Sequence, residues 1–196
     1  MVARMSEHDA LPSPHALSYL RAHLRDVPDF PKPGIVFKDI TPLLADPRAF
    51  HIALDLLAER FIGEHIDAVV GIESRGFIFG GALAARLCAS FVPVRKVGKL
   101  PAAADRVAYA LEYGEAELEM HRGSLRAGAR VLICDDVLAT GGTANAAAEL
   151  TRRQGAVVSG YAFVIELEFL GGRGKLPDNA EGKAVVYSLL RFAGAS

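Results

Sequence analysis

The residues best suited to chemistry lie in one stretch, where the apolar run Val131–Cys134 ends in two carboxylates and a glycine-rich turn. The carboxylates are Asp135 and Asp136, and the turn consists of Ala139, Thr140, Gly141, Gly142 and Thr143. Glycines lack a Cβ, so backbone N–H groups can approach an anion there, and the helix predicted after the turn adds unpaired amides and a positive dipole end. Carboxylates at the carboxyl end of a strand can accept hydrogen bonds from vicinal sugar hydroxyls. The stretch therefore predicts a sugar-phosphate site.

The residues of the turn also narrow the type of phosphate. Thr140 and Thr143 can donate hydroxyl hydrogen bonds to phosphate oxygens, and no lysine follows the glycines, so the Walker pattern of nucleoside triphosphatases is absent. A monophosphate ester fits such a turn. The alternative interpretation is an ordinary strand-to-helix turn beside two solvated aspartates.

In the order and spacing of its residues, Val131–Thr143 resembles the type I phosphoribosyltransferases. Their signature for 5-phosphoribosyl 1-pyrophosphate (PRPP) is an apolar strand, two acidic residues, a short apolar stretch and Thr-Gly-Gly-Thr, and all thirteen positions fit. The resemblance implies that residues 139–143 bind the 5′-phosphate and that Asp135 and Asp136 bind the ribose hydroxyls. It also implies a Mg²⁺ cofactor that is held mainly by PRPP oxygens and waters, because Mg²⁺ dehydrates reluctantly; we expect no firm protein ligand.

A second cluster, Gly71–Phe77, follows an apolar strand candidate and precedes a predicted helix. The planar donor fork of Arg75 can pair with a pyrophosphate, and Ser74 can present its backbone amide at the helix start. The alternative is an ion pair of Arg75 with Glu73 or Glu59. The cluster is similar to the pyrophosphate-binding loop of the adenine phosphoribosyltransferases, which implies that Ser74 and Arg75 bind pyrophosphate and that Arg75 is catalytic.

Three cations, Arg95, Lys96 and Lys99, open a segment that Gly and Pro interrupt. Residues 101–105 are Ala-rich without a clear period, so we predict a mobile connection there rather than a core element; a solvated surface hairpin is the alternative. The resemblance implies a flexible catalytic loop over about residues 95–114, which closes the three cations and Tyr113 over PRPP and excludes water. It also implies that Glu112 moves the N7 proton of the base, with three nearby acidic rivals: Glu115, Glu117 and Glu119.

A fourth cluster, within residues 27–41, contains three prolines and a glycine that restrict the backbone near Phe37. A fixed aromatic ring can stack on a purine, although Phe37 could equally be a core residue beside a connecting segment. The cluster is similar to the hood of the adenine phosphoribosyltransferases, at about residues 26–42. The resemblance implies that Val36 and Lys38 bind the adenine edge through backbone groups and that Phe37 stacks on the base. Lys38 stands where some members have Arg.

Strand and helix signals alternate along the chain. Helices are predicted from Ser13-Pro14 to about Arg25, from Asp46-Pro47 to Glu59 or Phe61, over Gly76–Ala89 and over Ala144–Gln154. Strands are predicted at Ile66–Ile72, Phe91–Val94, Val131–Cys134, Val157–Glu166 and Ala184–Leu189. This alternation predicts an α/β fold with a mostly parallel twisted sheet flanked by helices. We expect residues 1–12 to be a disordered extension and residues 13–196 to form a single domain that includes the hood and the flexible loop.

Composition limits the class of protein. The 196 residues are 51% hydrophobic, enough for one well-buried core, and the net charge of −1 gives no general attraction to nucleic acid or an anionic membrane. No apolar run approaches the about twenty residues of a membrane span, so we expect a cytoplasmic protein with small-molecule substrates. Cys88 and Cys134 lack metal-ligand spacing and are predicted to be reduced core residues. The family resemblance suggests a homodimer.

The reaction implied by the resemblance is a pentosyl transfer of purine salvage, in which adenine and PRPP become AMP and pyrophosphate. One alternative is a phosphoribosyltransferase for xanthine, hypoxanthine or guanine, which the hood motif argues against. The other is a non-catalytic PRPP-sensing regulator on the same fold, since a fold does not fix a function. Such regulators usually add a DNA-binding module, and this sequence has neither the length nor the basic surface for one.

Overall fold

The computed structural model of the protein describes residues 13–110, 115–178, 182 and 184–194. The predicted extension, residues 1–12, lies outside this part. The helices are α1 (Pro14–Ala22), α2 (Thr41–Ala45), α3 (Pro47–Phe61), α4 (Gly76–Arg86) and α5 (Gly142–Arg153). The strands are β1 (Arg25–Pro28), β2 (Val36–Asp39), β3 (Ala68–Ile72), β4 (Ser90–Lys96), β5 (Ala104–Ala110), β6 (Glu115–His121), β7 (Arg130–Leu138), β8 (Val157–Leu167) and β9 (Val185–Phe192).

Within the described residues, seven strands form one sheet in the order β5-β6-β4-β3-β7-β8-β9. The strands from β4 to β9 in this order pair in parallel, whereas β6 pairs antiparallel with β4, and β5 pairs antiparallel with β6. The prediction of an α/β fold with a mostly parallel sheet is confirmed. In the part of the chain that the structure describes, no helix is both long and apolar enough to cross a membrane.

The sheet is buried on both faces because its side chains alternate between two apolar cores. On β7, Val131 and Ile133 join the core on the α5 face, and Leu132 and Cys134 join the core formed with α1 to α4. The Asp46 side chain accepts a hydrogen bond from the Ala49 N–H at 2.7 Å and starts α3 directly before Pro47, as the sequence predicts.

The strand order reverses direction at β3, since β3 connects through α4 to β4 on one side and pairs with β7 on the other. Parallel α/β sheets bind ligands outside the carboxyl ends of their strands at such a switch point. The loop after β3 contains Ser74 and Arg75, and β7 carries Asp135 and Asp136 near its carboxyl end. The topology therefore brings the first and second sequence clusters together.

Three predictions differ from the structure. Helix α1 ends at Ala22 rather than near Arg25, because Arg25–Pro28 pairs antiparallel with Val36–Asp39 as a two-stranded sheet in the hood. The predicted irregular connection at residues 101–105 is shorter, since β5 begins at Ala104 and pairs with β6 as a hairpin on the sheet edge. Cys88 is exposed at the end of α4 and only Cys134 is buried; both are free thiols.

Candidate functional site

At the switch point, the side chain of one serine links the loop after β3 to the end of β7. The Ser74 hydroxyl lies 2.8 Å from Oδ1 of Asp135 and 3.1 Å from Oδ1 of Asp136, and it accepts a hydrogen bond from the Gly76 N–H at 3.1 Å. The Asp136 N–H donates to Oδ1 of Asp135 at 2.9 Å. The sequence predicted Ser74 as a backbone donor at a helix start, and in the structure its hydroxyl also orients both carboxylates.

Asp135 and Asp136 are both buried, which is unusual for acidic side chains. Burial raises the pKa of Asp135 well above its ordinary value of 3.8, and the nearby charge of Asp136 raises it further. Two carboxylates held this close together repel each other, so hydroxyl donors stabilise the pair, as the Ser74 hydroxyl does. A ligand with hydroxyl groups suits the site for the same reason.

Arg75 supplies the positive charge at this point. Its Nη2 lies 2.8 Å from Oδ2 of Asp136, so its partner is neither Glu73 nor Glu59. Its guanidinium carbon also lies 5.7 Å from the centre of the Phe37 ring, within range of a cation–π contact. Arg75 therefore connects the carboxylate pair to the hood, and 39% of its side chain remains exposed to a ligand.

The predicted phosphate turn begins α5. Gly141 has a φ of +83°, which favours glycine, and Gly142 is the first residue of the helix. A cavity of about 50 Å³ is lined by Asp135 and residues 137–144. A larger cavity of about 540 Å³ shares Thr140, Gly141 and Gly142 and continues along β5 and α5, with Tyr109 and Arg152 in its lining.

In the third cluster, Arg95 is held through its side chain, whereas Lys96 and Lys99 are held through their backbone N–H groups. Nη2 of Arg95 lies 2.8 Å from Oε1 of Glu73, and the backbone N–H of Lys96 donates to Oε2 of the same carboxylate at 2.8 Å. The backbone N–H of Lys99 donates to Oε1 of Glu119 at 3.0 Å. Glu73 thus joins this segment to the loop that contains Arg75.

The acidic rivals for the proton-transfer role differ in their surroundings. Glu119 is buried; burial raises its pKa, but backbone N–H groups of Leu100, Gly98 and Lys99 outweigh this and leave the pKa below its ordinary value. A carboxylate fixed in this way has a structural role. Glu117 is exposed on β6, and Glu112, Tyr113 and the side chain of Glu115 lie outside the described residues.

The hairpin of β1 and β2 lies in the segment predicted to be the hood. The Phe37 ring contacts the Phe30 ring edge to face, with centroids 5.3 Å apart, and Phe30 is 51% exposed. The ammonium of Lys38 is buried, lies 2.9 Å from both carboxylate oxygens of Asp26 and stands 4.8 Å from the centre of the Phe192 ring. The Lys38 side chain is therefore committed to Asp26 and Phe192. The adenine contacts of Val36 and Lys38 stay a prediction.

Sequence reasoning missed two groups that support the site. Phe192, the last residue of β9, packs against Lys38, and Gly172 contacts the phosphate turn through its backbone. The Gly171-Gly172-Arg173-Gly174 run was a visible signal of a tight turn, but no local pattern indicates what such a turn touches.

The comparisons with known proteins agree with this geometry. The model of the family called phosphoribosyl transferase domain matches residues 41–186. The chain belongs to the phosphoribosyltransferase family.

The relatives of the chain indicate which phosphoribosyltransferases it resembles. The chain is 76% identical over 189 residues to the adenine phosphoribosyltransferase of Sorangium cellulosum (strain So ce56), covering 96% of this chain and 94% of that one. It is also similar to the crystal structure of adenine phosphoribosyltransferase from Rhodothermus marinus DSM 4252, with a TM-score of 0.85, 51% identity and coverage of 92% and 100%. A Saccharomyces cerevisiae enzyme of the same name, complexed with adenine and an imino-altritol 1,6-bisphosphate, is 42% identical with a TM-score of 0.82 over 90% of this chain and 99% of that one.

Proposed function

We propose that this protein is an adenine phosphoribosyltransferase, a pentosyltransferase that converts adenine and PRPP into AMP and pyrophosphate. The relatives of that name align over almost the whole chain, and one of their structures is complexed with adenine. The observation that supports the activity most directly is the position of Arg75, which contacts both Asp136 and the Phe37 ring. A sugar held by the carboxylates and a base held at the hood would therefore meet beside one cation.

Each part of the site has one role in the proposed reaction. Backbone N–H groups and threonine hydroxyls of residues 139–143 bind the 5′-phosphate, and Asp135 and Asp136 accept hydrogen bonds from the ribose hydroxyls. Adenine N9 forms a bond to the anomeric carbon, and the bond from that carbon to pyrophosphate breaks with its electron pair leaving on the pyrophosphate. Ser74 and Arg75 stabilise the charge of the leaving group. Positioning and charge neutralisation provide most of the catalysis.

Mg²⁺ fits this site as a partner of the substrate. When bound, it neutralises charge on the pyrophosphate oxygens. Mg²⁺ dehydrates reluctantly, so in this proposal its oxygen ligands come mainly from PRPP and water. In this proposal Asp135 and Asp136 orient the ribose hydroxyls.

The segment at about residues 95–114 acts as a lid in this proposal. Arg95, Lys96, Lys99 and Tyr113 close over PRPP and exclude water, which would otherwise hydrolyse it. Glu112 accepts the N7 proton of adenine while N9 forms its new bond. The fixed, buried position of Glu119 supports Glu112 over this rival.

Lys38 provides a test of the hood. Lys38→Met removes the ammonium beside Asp26 and Phe192, which loosens β2 but not the phosphate turn. We expect the KM for adenine to rise about fivefold, the equivalent of about 1 kcal/mol, while the KM for PRPP is unchanged. Steady-state kinetics with each substrate varied measures both values, with Lys38→Arg as the charge-preserving control. An equal rise in both KM values would contradict a role confined to the base.

We also propose a cytoplasmic homodimer. Ile78 on α4 is 45% exposed and Phe91 on β4 is 37% exposed, and the Phe77 and Phe91 rings meet edge to face with centroids 5.7 Å apart. Exposed apolar side chains in one region are typical of an interaction surface.

If this surface forms the homodimer, a charged substitution in it should change the oligomeric state. Ile78→Lys should shift sedimentation velocity from dimer to monomer, because it places an ammonium in an apolar contact. Ile62→Lys is the matched control, since Ile62 is 61% exposed in the short turn Ile62–Glu64 after α3. A dimer with Ile78→Lys, or a monomer with the wild type, would exclude this surface.

The activity itself is tested by base selectivity. Wild-type protein with PRPP and Mg²⁺ is offered adenine, hypoxanthine, guanine and xanthine separately, and the nucleotide and pyrophosphate are measured. We expect AMP from adenine alone. Product with another base would reject the assignment of the hood, and no product with any base would reject catalysis.

A further inference from the structure

The phosphate turn is in backbone contact with a segment that lies more than thirty residues further along the chain. A Cβ added to Gly172 would lie 2.1 Å from the carbonyl oxygen of Ala139 and 2.9 Å from the backbone N of Gly141. In the reverse direction, a Cβ on Gly141 would lie 2.7 Å from the carbonyl oxygen of Gly172. Two glycines therefore face each other with no space for a methyl group between their backbones.

The segment that contains Gly172 is held in place by other contacts. Gly172 begins the short helical turn Gly172–Lys175, and the next residue, Arg173, fixes that turn to the sheet. The guanidinium of Arg173 pairs with Glu166 through two hydrogen bonds of 2.8 and 2.5 Å and donates a third to the carbonyl of Val186 at 2.8 Å. Glu166 lies on β8 and Val186 on β9, so the turn is tied to two strands.

The ion pair is suited to a permanent anchor. Glu166 is only 2% exposed, and a bidentate Arg–carboxylate pair fixes orientation as well as distance. Burial raises the pKa of Glu166, but the hydrogen bond from Arg173 and further contacts outweigh it and leave the pKa below its ordinary value. The carboxylate therefore stays charged at neutral pH and continues to hold Arg173.

We propose that Gly172 is a positioning residue for the PRPP phosphate turn: its backbone, anchored by Arg173 and Glu166, supports Ala139 and Gly141 from behind and sets their distance from the 5′-phosphate. The inference rests on the proposed function for the identity of the ligand. Gly172 acts through the turn rather than on the substrate. Its effect should appear in binding of the phosphorylated sugar and not in binding of the base.

Gly172→Ala and Gly174→Ala form a matched pair for the test. Both add one methyl group to the same short turn, but a Cβ on Gly174 would meet no atom of the described residues within 4 Å. We expect Gly172→Ala to raise the KM for PRPP at least about tenfold, because small displacements of binding groups have large effects, and to leave the KM for adenine unchanged. Gly174→Ala should stay within about twofold of the wild type in both values.

Calorimetric binding of ribose 5-phosphate supplies a readout that does not need turnover. The same loss of affinity is expected for Gly172→Ala as in the KM for PRPP. If Gly172→Ala does not fold, Arg173→Lys decides the question, because a lysine keeps the charge beside Glu166 but cannot reproduce the fork. It should weaken ribose 5-phosphate binding with little change in the KM for adenine.

Two results would overturn the inference. One is unchanged ribose 5-phosphate affinity in folded Gly172→Ala or Arg173→Lys. The other is a parallel rise in the KM values for PRPP and adenine, which a general loss of structure would produce. Failure of the proposed function is distinguishable, since wild-type protein would then bind ribose 5-phosphate yet form no AMP, and the comparison of Gly172→Ala with Gly174→Ala would still be measurable by calorimetry.

Discussion

Replacing Arg75 by methionine is expected to lower kcat by about 10²–10³-fold, the usual effect of removing one preorganised donor from developing negative charge. Arg75 is the cation that contacts both the carboxylate pair, through Asp136, and the predicted hood, through Phe37. Its loss also leaves Asp136 without its ion pair in a buried position. Pre-steady-state and steady-state rates of AMP formation with saturating PRPP and adenine would measure the effect.

Arg75→Lys distinguishes charge from geometry. A lysine at this position keeps the positive charge beside Asp136 but presents a point charge instead of a planar fork. We expect a loss of kcat intermediate between the wild type and Arg75→Met. A kcat for Arg75→Met equal to that of the wild type would remove Arg75 from the reaction and leave only its structural ion pair.

Asp135→Asn should make the protein more stable and less active. The pKa of Asp135 is raised by burial and by Asp136, so the folded state holds this proton more tightly than the unfolded state does. Stability from this group is therefore present at low pH and is lost as the pH rises from 3.8 through the folded-state pKa. The amide of Asn at position 135 does not titrate, so the variant does not lose stability in this way. At about pH 7 its Tm should be higher by several degrees, since about 1 kcal/mol shifts the Tm of a domain of this size by about 2–4 °C.

The pH dependence is the informative part of the Asp135→Asn experiment. Thermal unfolding from about pH 4 to about pH 8 should give similar Tm values for the two proteins at the acidic end and a widening difference above it. Turnover should fall about 10–100-fold because the ribose hydroxyls lose a carboxyl acceptor. Asp136→Asn is the control: it breaks the pair with Arg75 and should not raise the Tm. Parallel Tm curves for wild type and Asp135→Asn would refute the raised pKa.

Local signals in the sequence were sufficient for the main elements of the fold. Apolar runs predicted β3, β7 and β8, and the Asp46-Pro47 pair predicted the start of α3, because caps and buried strands depend on neighbouring residues. The predicted end of α1, near Arg25, was wrong. The chain from Arg25 onward pairs with β2, and a strand pairing across the hood is a tertiary contact that helix periodicity cannot indicate.

The sequence predicted which residues belong to the candidate site, but it did not predict the contacts between them. Glycines, hydroxyls and carboxylates at strand ends indicated which residues would meet a sugar phosphate, since each signal lies within a few residues. The Arg75–Asp136 pair, the Lys38–Phe192 contact and the Gly141–Gly172 contact each join segments far apart in the sequence. Such contacts follow from the strand order and from the packing of the sheet, which a single sequence does not specify.

The pairing of the two arginines has a consequence for how the substrate arrives. Arg75 lies against Asp136, and Arg95 lies against Glu73, so each of these cations is offset by a carboxylate within 3 Å. The whole chain also has a net charge of only −1. These two arginines therefore project little positive field into solution and contribute little to long-range electrostatic steering of PRPP. They meet the anion at contact range, so the dependence of the association rate on ionic strength should owe little to them.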